Sequence, residues 1–251
     1  MNPAIAARLA DLNRRFYLEH ALDFARRRST PQPGIVRVLA RIPAGARVLE
    51  IGCGDGKVAR TLSAGPKVSA YLGLDLDPTL LERAGRKTGN SISSLPIHRF
   101  AFAQCDLTSR DWPRVLPPEP YDWILAFSVF HHLPGSQARA EILRTLAAHL
   151  AAGGTVVMSN WQFTRSERLR RRVAPWSELS LAPSDVEPND YLLRWERGGR
   201  QGLRYVHLLD EAEARRTAAA AGLAISEVFR SDGISGDLAD YVRLCDHEQG
   251  E

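Results

Sequence analysis

Short apolar runs recur along this chain, separated by segments whose apolar residues fall at helical spacing. Runs over 47–51, 70–75, 98–104, 122–127 and 155–160 predict strands. The stretches between them predict helices over about 56–64, from Pro78 to about 88, and over 136–150, with Gly153-Gly154 closing the last. A helix over 210–221 and strands over 223–229 and 239–245 complete the pattern. Trp123–Phe127 and Val156–Met158 are apolar without alternation, as expected of strands covered on both faces. Strand and helix in turn imply an α/β architecture: a seven-stranded, mostly parallel sheet with helices on both faces, joined by right-handed crossovers.

Two segments stand outside that rhythm. Residues 3–28 predict an N-terminal helix bent near its middle, with Leu18, Ala21, Leu22 and Ala25 at helical spacing. Ser29-Thr30-Pro31-Gln32-Pro33-Gly34 ends it, and a short helix over 34–42 leads into the first strand. Residues 161–207 interrupt the alternation after the fifth strand. There Tyr191–Trp195 and Leu203–Leu208 flank a loop at 197–202 and predict a hairpin. The expected organisation is a helical extension over 1–45 and a domain over 46–251, with 161–207 as an insertion on the substrate side.

Composition narrows the class. Hydrophobic residues make up 44% of the 251 and charged residues 25%, the balance of a soluble globular protein. No stretch approaches the roughly 20 apolar residues that span a bilayer, and no signal-peptide pattern opens the chain. Cys53, Cys105 and Cys245 are scattered and show no C-x-x-C spacing, which argues against a disulfide framework or a structural zinc site. A reducing cytoplasm is the expected location. The net charge of +4 is unevenly placed: Arg8, Arg14, Arg15, Arg26, Arg27, Arg28, Arg37 and Arg41 crowd the N-terminal part, and Arg165, Arg168, Arg170, Arg171 and Arg172 form a second cluster. Clustered arginine is the footprint of an RNA-binding enzyme, or simply a solvated face in a chain that carries only Lys57, Lys67 and Lys87 as lysines.

The candidate chemistry lies at the ends of the strands. Val48-Leu49-Glu50-Ile51-Gly52-Cys53-Gly54-Asp55-Gly56-Lys57 runs from a strand into a turn with alternating glycines. Glycine reaches positive φ and lets a ligand approach the backbone. A dinucleotide turn has the form G-x-G-x-x-G; here the third glycine comes one residue early. The second strand ends at Asp75-Leu76, about 20 residues on, where a carboxylate can accept both hydroxyls of a ribose. Asp106-Leu107 ends the third strand, placing an acceptor for an adenine amino group beside an apolar contact for its ring. Phe127, Ser128 and the pair His131-His132 end the fourth. The adjacent histidines cannot both point inward from one helix face, so metal ligation is not expected.

The early third glycine behind an acidic strand end resembles the first motif of class I S-adenosylmethionine (SAM) methyltransferases, over about residues 45–230. That resemblance implies a Rossmann-like fold and SAM as cofactor, held by Glu50, Gly52, Gly54, Gly56, Asp75, Leu76, Asp106, Leu107 and Phe127. Over nearly its full length the chain is also similar to the tRNA methyltransferases that esterify wobble carboxymethyluridine. The likeness rests on Phe16-Tyr17, Ala21, Phe24, Arg28, Pro31 and Pro33, then Gly52–Lys57, Val129–Leu133 and Gly153-Gly154. It continues through Trp161, Val173–Trp176 and Arg204-Tyr205-Val206-His207. Asp55, Gln32 and Val206 depart from that family's asparagine, tryptophan and tyrosine.

That likeness implies a tRNA substrate and, in some relatives, a small zinc-containing activator subunit. It makes Arg204, Arg165 and Arg28 candidates to position an acceptor carboxylate. Trp161, Tyr205 and Tyr17 become candidates for a stacking wall. Methyl transfer to a carboxylate requires alignment and no general base. Two other readings remain open on sequence: a small-molecule methyltransferase with 161–207 as its lid, and a non-catalytic SAM- or partner-binding module.

Overall fold

The computed structural model describes residues 1–27, 30–65, 68–88 and 99–246. Arg28 lies outside the described residues, as does the first residue of the strand expected over 98–104.

Seven strands form the main sheet: β1 (Arg47–Ile51), β2 (Ala70–Asp75), β3 (Phe100–Gln104), β4 (Tyr121–Phe127), β5 (Leu150–Trp161), β9 (Leu223–Ser231) and β10 (Ala239–Asp246), in the order β3-β2-β1-β4-β5-β10-β9. β1 to β5 pair in parallel, and β10 runs antiparallel between β5 and β9. Alternate residues on each strand feed two cores. Leu49, Ile51, Ile124 and Ala126 pack with α5 (Ser136–Ala147) and α7 (Glu211–Ala220). Val48, Trp123, Leu125 and Phe127 pack with α2 (Pro33–Leu39), α3 (Lys57–Ala64) and α4 (Pro78–Thr88). Burial on both faces is why these strands read as continuous apolar runs.

α1 spans Pro3–Arg27 without the bend expected from the sequence. The glycine pair expected to close α5 does something else. α5 ends at Ala147 with Ala148 as its cap, and Gly153, at φ +74, lies within β5, whose pairing with β4 shifts register between Tyr121 and Trp123. A glycine pair just beyond a helical pattern looks like a cap; here it bends a strand instead.

The insertion holds a short helix α6 (Glu167–Arg170) and a second sheet of β6 (Val173–Ala174), β7 (Asp190–Arg197) and β8 (Arg200–His207). The hairpin turn is tighter than expected: only Gly198 and Gly199 join β7 to β8, at φ +55 and +77. Both central residues of that turn type need positive φ, which explains the glycine pair. α1 lies against β8. A Cβ on Gly202 would stand 2.9 Å from the Phe16 ring, so glycine there admits the helix. Among the described residues, no helix is long and apolar enough to cross a membrane.

Candidate active site

The strand order reverses between β1 and β4, and a cleft of about 690 Å³ opens there at the carboxyl ends of the strands. β1 to β3 build one end of it. Gly52, Gly54 and Gly56 all hold positive φ, at +69, +56 and +74, but for different reasons. A Cβ on Gly52 would lie 2.5 Å from a Val129 methyl group, and one on Gly56 would lie 2.7 Å from Ala84 Cβ. A Cβ on Gly54 would meet only open space, so the cleft reaches the backbone at that residue. Gly52 and Gly54 line the cleft. Gly56 does not: it precedes α3 and makes room for α4, so its place among the cofactor-binding candidates is corrected.

The carboxylates sit where strand-end geometry puts them. Asp75 accepts the Gly54 N–H at 2.7 Å on one oxygen and the Asp77 N–H at 3.0 Å on the other. Burial pushes its carboxyl above the usual range while those N–H groups pull it down. Asp106 accepts from the Thr108 N–H at 2.9 Å and hydroxyl at 2.6 Å through the same oxygen, so it caps a turn as well as facing the cleft. Glu50 is 2% exposed and accepts from the Tyr71 hydroxyl. Burial pushes its carboxyl up to about 8, with Tyr71 and Lys57 opposing the rise. Leu76, Leu107 and Phe127 complete this end. Cys53 and Cys105 also line it; burial raises the Cys53 thiol and pushes that of Cys105 up to about 12.

The other end is assembled from side chains far apart in sequence. Arg204 on β8 is 9% exposed, and its guanidinium lies 4.9 Å from the centre of the Trp161 ring. It donates to the Tyr17 hydroxyl on α1 at 3.0 Å, and that hydroxyl lies 2.7 Å from Nε2 of His132. Asn13, one turn earlier on α1, donates to the carbonyls of His132 and Tyr205 at 3.0 Å each and accepts the Tyr205 N–H at 2.8 Å. The helix is thereby held against the turn after β4 and against β8, and Ala10, Asn13, Arg14, Tyr17, Leu18 and Ala21 roof the cleft.

Trp161 and Arg204 therefore line one space, while two other candidates do not. Arg165 points away and binds Asp240 through both carboxylate oxygens, at 2.6 and 2.9 Å. Tyr205 is fully buried on the opposite face of β8 from Arg204, and its hydroxyl donates to Asp190 at 2.6 Å. Of the three aromatic candidates, Trp161 and Tyr17 line the cleft. His131 and His132 both reach the cleft because they lie on a 3-10 turn over Phe130–His132 rather than on a regular helix face. His131 takes the Trp161 N–H on Nδ1 at 3.3 Å. Sequence reasoning passed over Asn13, Arg14 and the link from Lys57 to Gln32 at 2.8 Å, all of which line the cleft.

Several arginines of the two clusters form ion pairs on the protein surface, where their side chains remain exposed. Arg14 and Arg15 pair with Asp11, Arg37 and Arg41 with Glu227, and Arg171 with Glu167. Arg8 donates to the Leu179 carbonyl. The side chains of Arg26, Arg27 and Arg28 lie outside the described residues.

Comparison with known proteins agrees with the fold. Residues 49–156 match the family model described as a methyltransferase domain. The chain is similar to the trans-aconitate 2-methyltransferase of Methylobacterium nodulans, 38% identical over 157 residues, covering 61% of this chain and 53% of that protein. It is also similar to the tRNA (carboxymethyluridine(34)-5-O)-methyltransferase of Mus musculus, 28% identical over 145 residues, covering 58% of this chain and 19% of that protein. The chain thus spans about half the length of the trans-aconitate relative and about a fifth of the tRNA one. Among solved structures, a SAM-dependent methyltransferase from Methanosarcina mazei superposes with a TM-score of 0.62 at 16% identity, covering 86% of this chain and 98% of that one. The fold is the Rossmann-like methyltransferase fold, and the chain carries a class I methyltransferase domain, whose cofactor is SAM.

Proposed function

We propose that this chain, which carries a class I methyltransferase domain, moves the methyl group of SAM onto a carboxylate oxygen of a small acceptor held by Arg204 beneath α1. The observation that carries this reading is Arg204 itself: a guanidinium, 9% exposed, placed over Trp161 and tied to Tyr17 inside the cleft. A planar fork of donors on an aromatic face suits a carboxylate better than a neutral hydroxyl. The names of the two curated relatives support it, since aconitate and carboxymethyluridine both carry a carboxyl group. A small acid is favoured over tRNA because residues of α1 line the cleft beside Arg204 and the trans-aconitate relative is the more similar of the two in sequence.

The residues fit the cofactor. Gly54 leaves the backbone open to it, Asp75 would accept from the hydroxyls of its ribose, and Asp106 would accept from its adenine amino group. Glu50 and Lys57 provide opposite charges for the ammonium and carboxylate of its amino-acid tail. When bound, SAM would supply a sulfonium methyl group to an oxygen held in line with the C–S bond, and the neutral thioether would leave. The acceptor carboxylate is already ionised near neutral pH, so the protein has no proton to remove. Arg204 and Tyr17 orient it, and Trp161 with α1 excludes water; alignment of this kind recovers roughly 7–11 kcal/mol of barrier in well-oriented systems. The attack neutralises charge, so a single guanidinium that positions the acid without over-binding it is advantageous.

The test is incubation with methyl-labelled SAM and, in parallel, trans-aconitate with a panel of small polycarboxylates, or tRNA bearing carboxymethyluridine. Mass spectrometry should find a base-labile methyl ester on a small acid. Label confined to the tRNA would replace this reading with the wobble-uridine one. Tight SAM binding with no labelled acceptor would leave a non-catalytic SAM-binding module.

A further inference from the structure

Behind Arg204, on the other face of β8, lies a buried ion network that the proposed reaction does not use. Successive strand residues point to opposite faces, so Arg204 enters the cleft while Tyr205 and His207 enter the domain. His207 is 1% exposed, with Nδ1 2.7 Å from Asp190 and Nε2 2.6 Å from Glu213. Arg139 on α5 is fully buried and donates to Glu213 at 2.7 Å, to Glu187 at 2.8 Å and to the Leu133 carbonyl at 2.9 Å. Asp190 also accepts the Tyr205 hydroxyl and, at 2.8 Å, the Glu187 N–H. Among the described residues, Glu187, Asp190 and His207 have the mutual spacing of a metal site. Protein donors already occupy these carboxylates, and both nitrogens of the ring face carboxylates, so the spacing serves an ion network.

We infer that His207, through Tyr205 and the carboxylates of Asp190 and Glu213, is a positioning residue for Arg204 and couples pH to the acceptor end of the cleft. The inference rests on the proposed reading of Arg204 as the acceptor-holding residue. The path is short. His207 and Tyr205 share the Asp190 carboxylate. The Tyr205 backbone is gripped on both its N–H and its carbonyl by Asn13. Arg204 is the adjoining residue, and its hydrogen-bond partner Tyr17 stands one turn from Asn13 on α1. Movement of β8 therefore moves the guanidinium, its tyrosine partner and the roof together, while the glycine loop and Asp75 lie on β1 and β2, outside the network.

The groups that face His207 are Asp190 from β7, Tyr205 from its own strand, Glu213 and Arg216 from α7, Arg139 from α5, and Glu187 from the approach to β7. The Met1 amino group lies 3.8 Å from Glu187. Burial and Arg139 lower the imidazole's affinity for a proton, but its bonds to Asp190 and Glu213 prevail and hold it above its usual 6.5. A raised histidine stabilises the fold fully below 6.5, and that contribution is lost as pH rises through the raised value. The prop therefore slackens on the alkaline side.

The experiment follows the Arg204 side-chain Nε–H resonance by NMR from about pH 6 to 9, assigned with Arg204→Lys, in the full-length protein with and without SAM. It needs no knowledge of the acceptor, so it stands whether or not a carboxylate is ever methylated. The wild type should show an inflection above pH 6.5. His207→Gln should abolish it, and Glu213→Gln, which removes one of the two carboxylates on the ring, should move it to lower pH. SAM affinity of each variant, by calorimetry, should stay within about twofold and doubles as the control for folding. Using trans-aconitate as probe, Tyr205→Phe should raise KM about tenfold or more, the size of one lost charge-assisted hydrogen bond. A flat wild-type resonance, the same inflection in His207→Gln, or parallel losses of SAM affinity and acceptor KM would overturn the inference. Should His207→Gln fail to fold, the shift in Glu213→Gln decides.

Discussion

The two ends of the cleft are built on different principles. At the end formed by β1 to β3, backbone groups and strand-end carboxylates from residues 50–107 define the site, and the sheet fixes their spacing. At the other end Tyr17, His132, Trp161 and Arg204 meet from α1, the turn after β4, the end of β5 and β8, with Arg204 187 positions beyond Tyr17 in the chain. On the proposed reading, the first end offers a fixed partner a rigid frame. The second is a convergence of side chains that substitution can redirect without disturbing the frame, which is how one fold serves many acceptors.

If that division is right, substitutions should separate cofactor binding from transfer. The largest effect is expected from Arg204→Ala: with an acceptor identified, kcat/KM should fall by about 10²-fold or more, the size of the loss when an acceptor is misplaced by about 1 Å. SAM affinity by calorimetry should be unchanged, and a matching loss of it would erase the distinction between the ends. Asp75→Asn should do the reverse, weakening SAM binding by about 10- to 100-fold through the loss of charge-assisted bonds worth roughly 1.5–3 kcal/mol. Its thermal stability should fall by about 1–3 kcal/mol, because an amide oxygen still accepts the Gly54 N–H but the amide NH2 cannot accept that of Asp77.

A smaller effect sharpens the cofactor end. Glu50, raised to about 8, is mostly protonated at neutral pH before the ligand's ammonium arrives. Binding should release its proton, so SAM affinity should rise by at most about tenfold per pH unit toward pH 8 and then level off. The sign for folding is opposite: with its pKa raised from 4.5, the group's contribution to the stability of the ligand-free protein declines as pH climbs from 4.5 to about 8. Calorimetry in buffers of different ionisation enthalpy reads the released proton directly, and Glu50→Gln should remove it. The smallest effect is expected for Arg165→Ala, which breaks the pair with Asp240: acceptor KM and SAM affinity should each move by less than about threefold, with stability down by about 1 kcal/mol or less. A large rise in KM would return Arg165 to the acceptor site.

The same division explains what could be read from the chain. The main-sheet strands and the carboxylates at 50, 75 and 106 were legible because each is a local pattern, an apolar run followed by a turn residue, and the parallel sheet brings those ends together. The acceptor end was legible only in pieces. Arg165 and Arg204 are equivalent as composition; the side of the fold each faces depends on a carboxylate at 240 that no local pattern announces. Tyr205 was mistaken for a wall because it adjoins Arg204, yet strand alternation sends neighbours to opposite faces. Within the hairpin, that parity was available in the sequence and pointed to Arg204 alone. Tyr17 was reached only through the family likeness and Asn13 gave no signal at all, since their roles exist only after α1 docks on β8.

Burial of the thiols at 53 and 105 beside the cofactor loop has a practical consequence. Both are shielded and held in the unreactive protonated form. An alkylating reagent can modify them only in molecules whose cleft has momentarily parted. The speed of their modification is thus a native clock for that opening, free of any attached dye, and its slowing on addition of SAM would time how long the chamber stays shut around its contents.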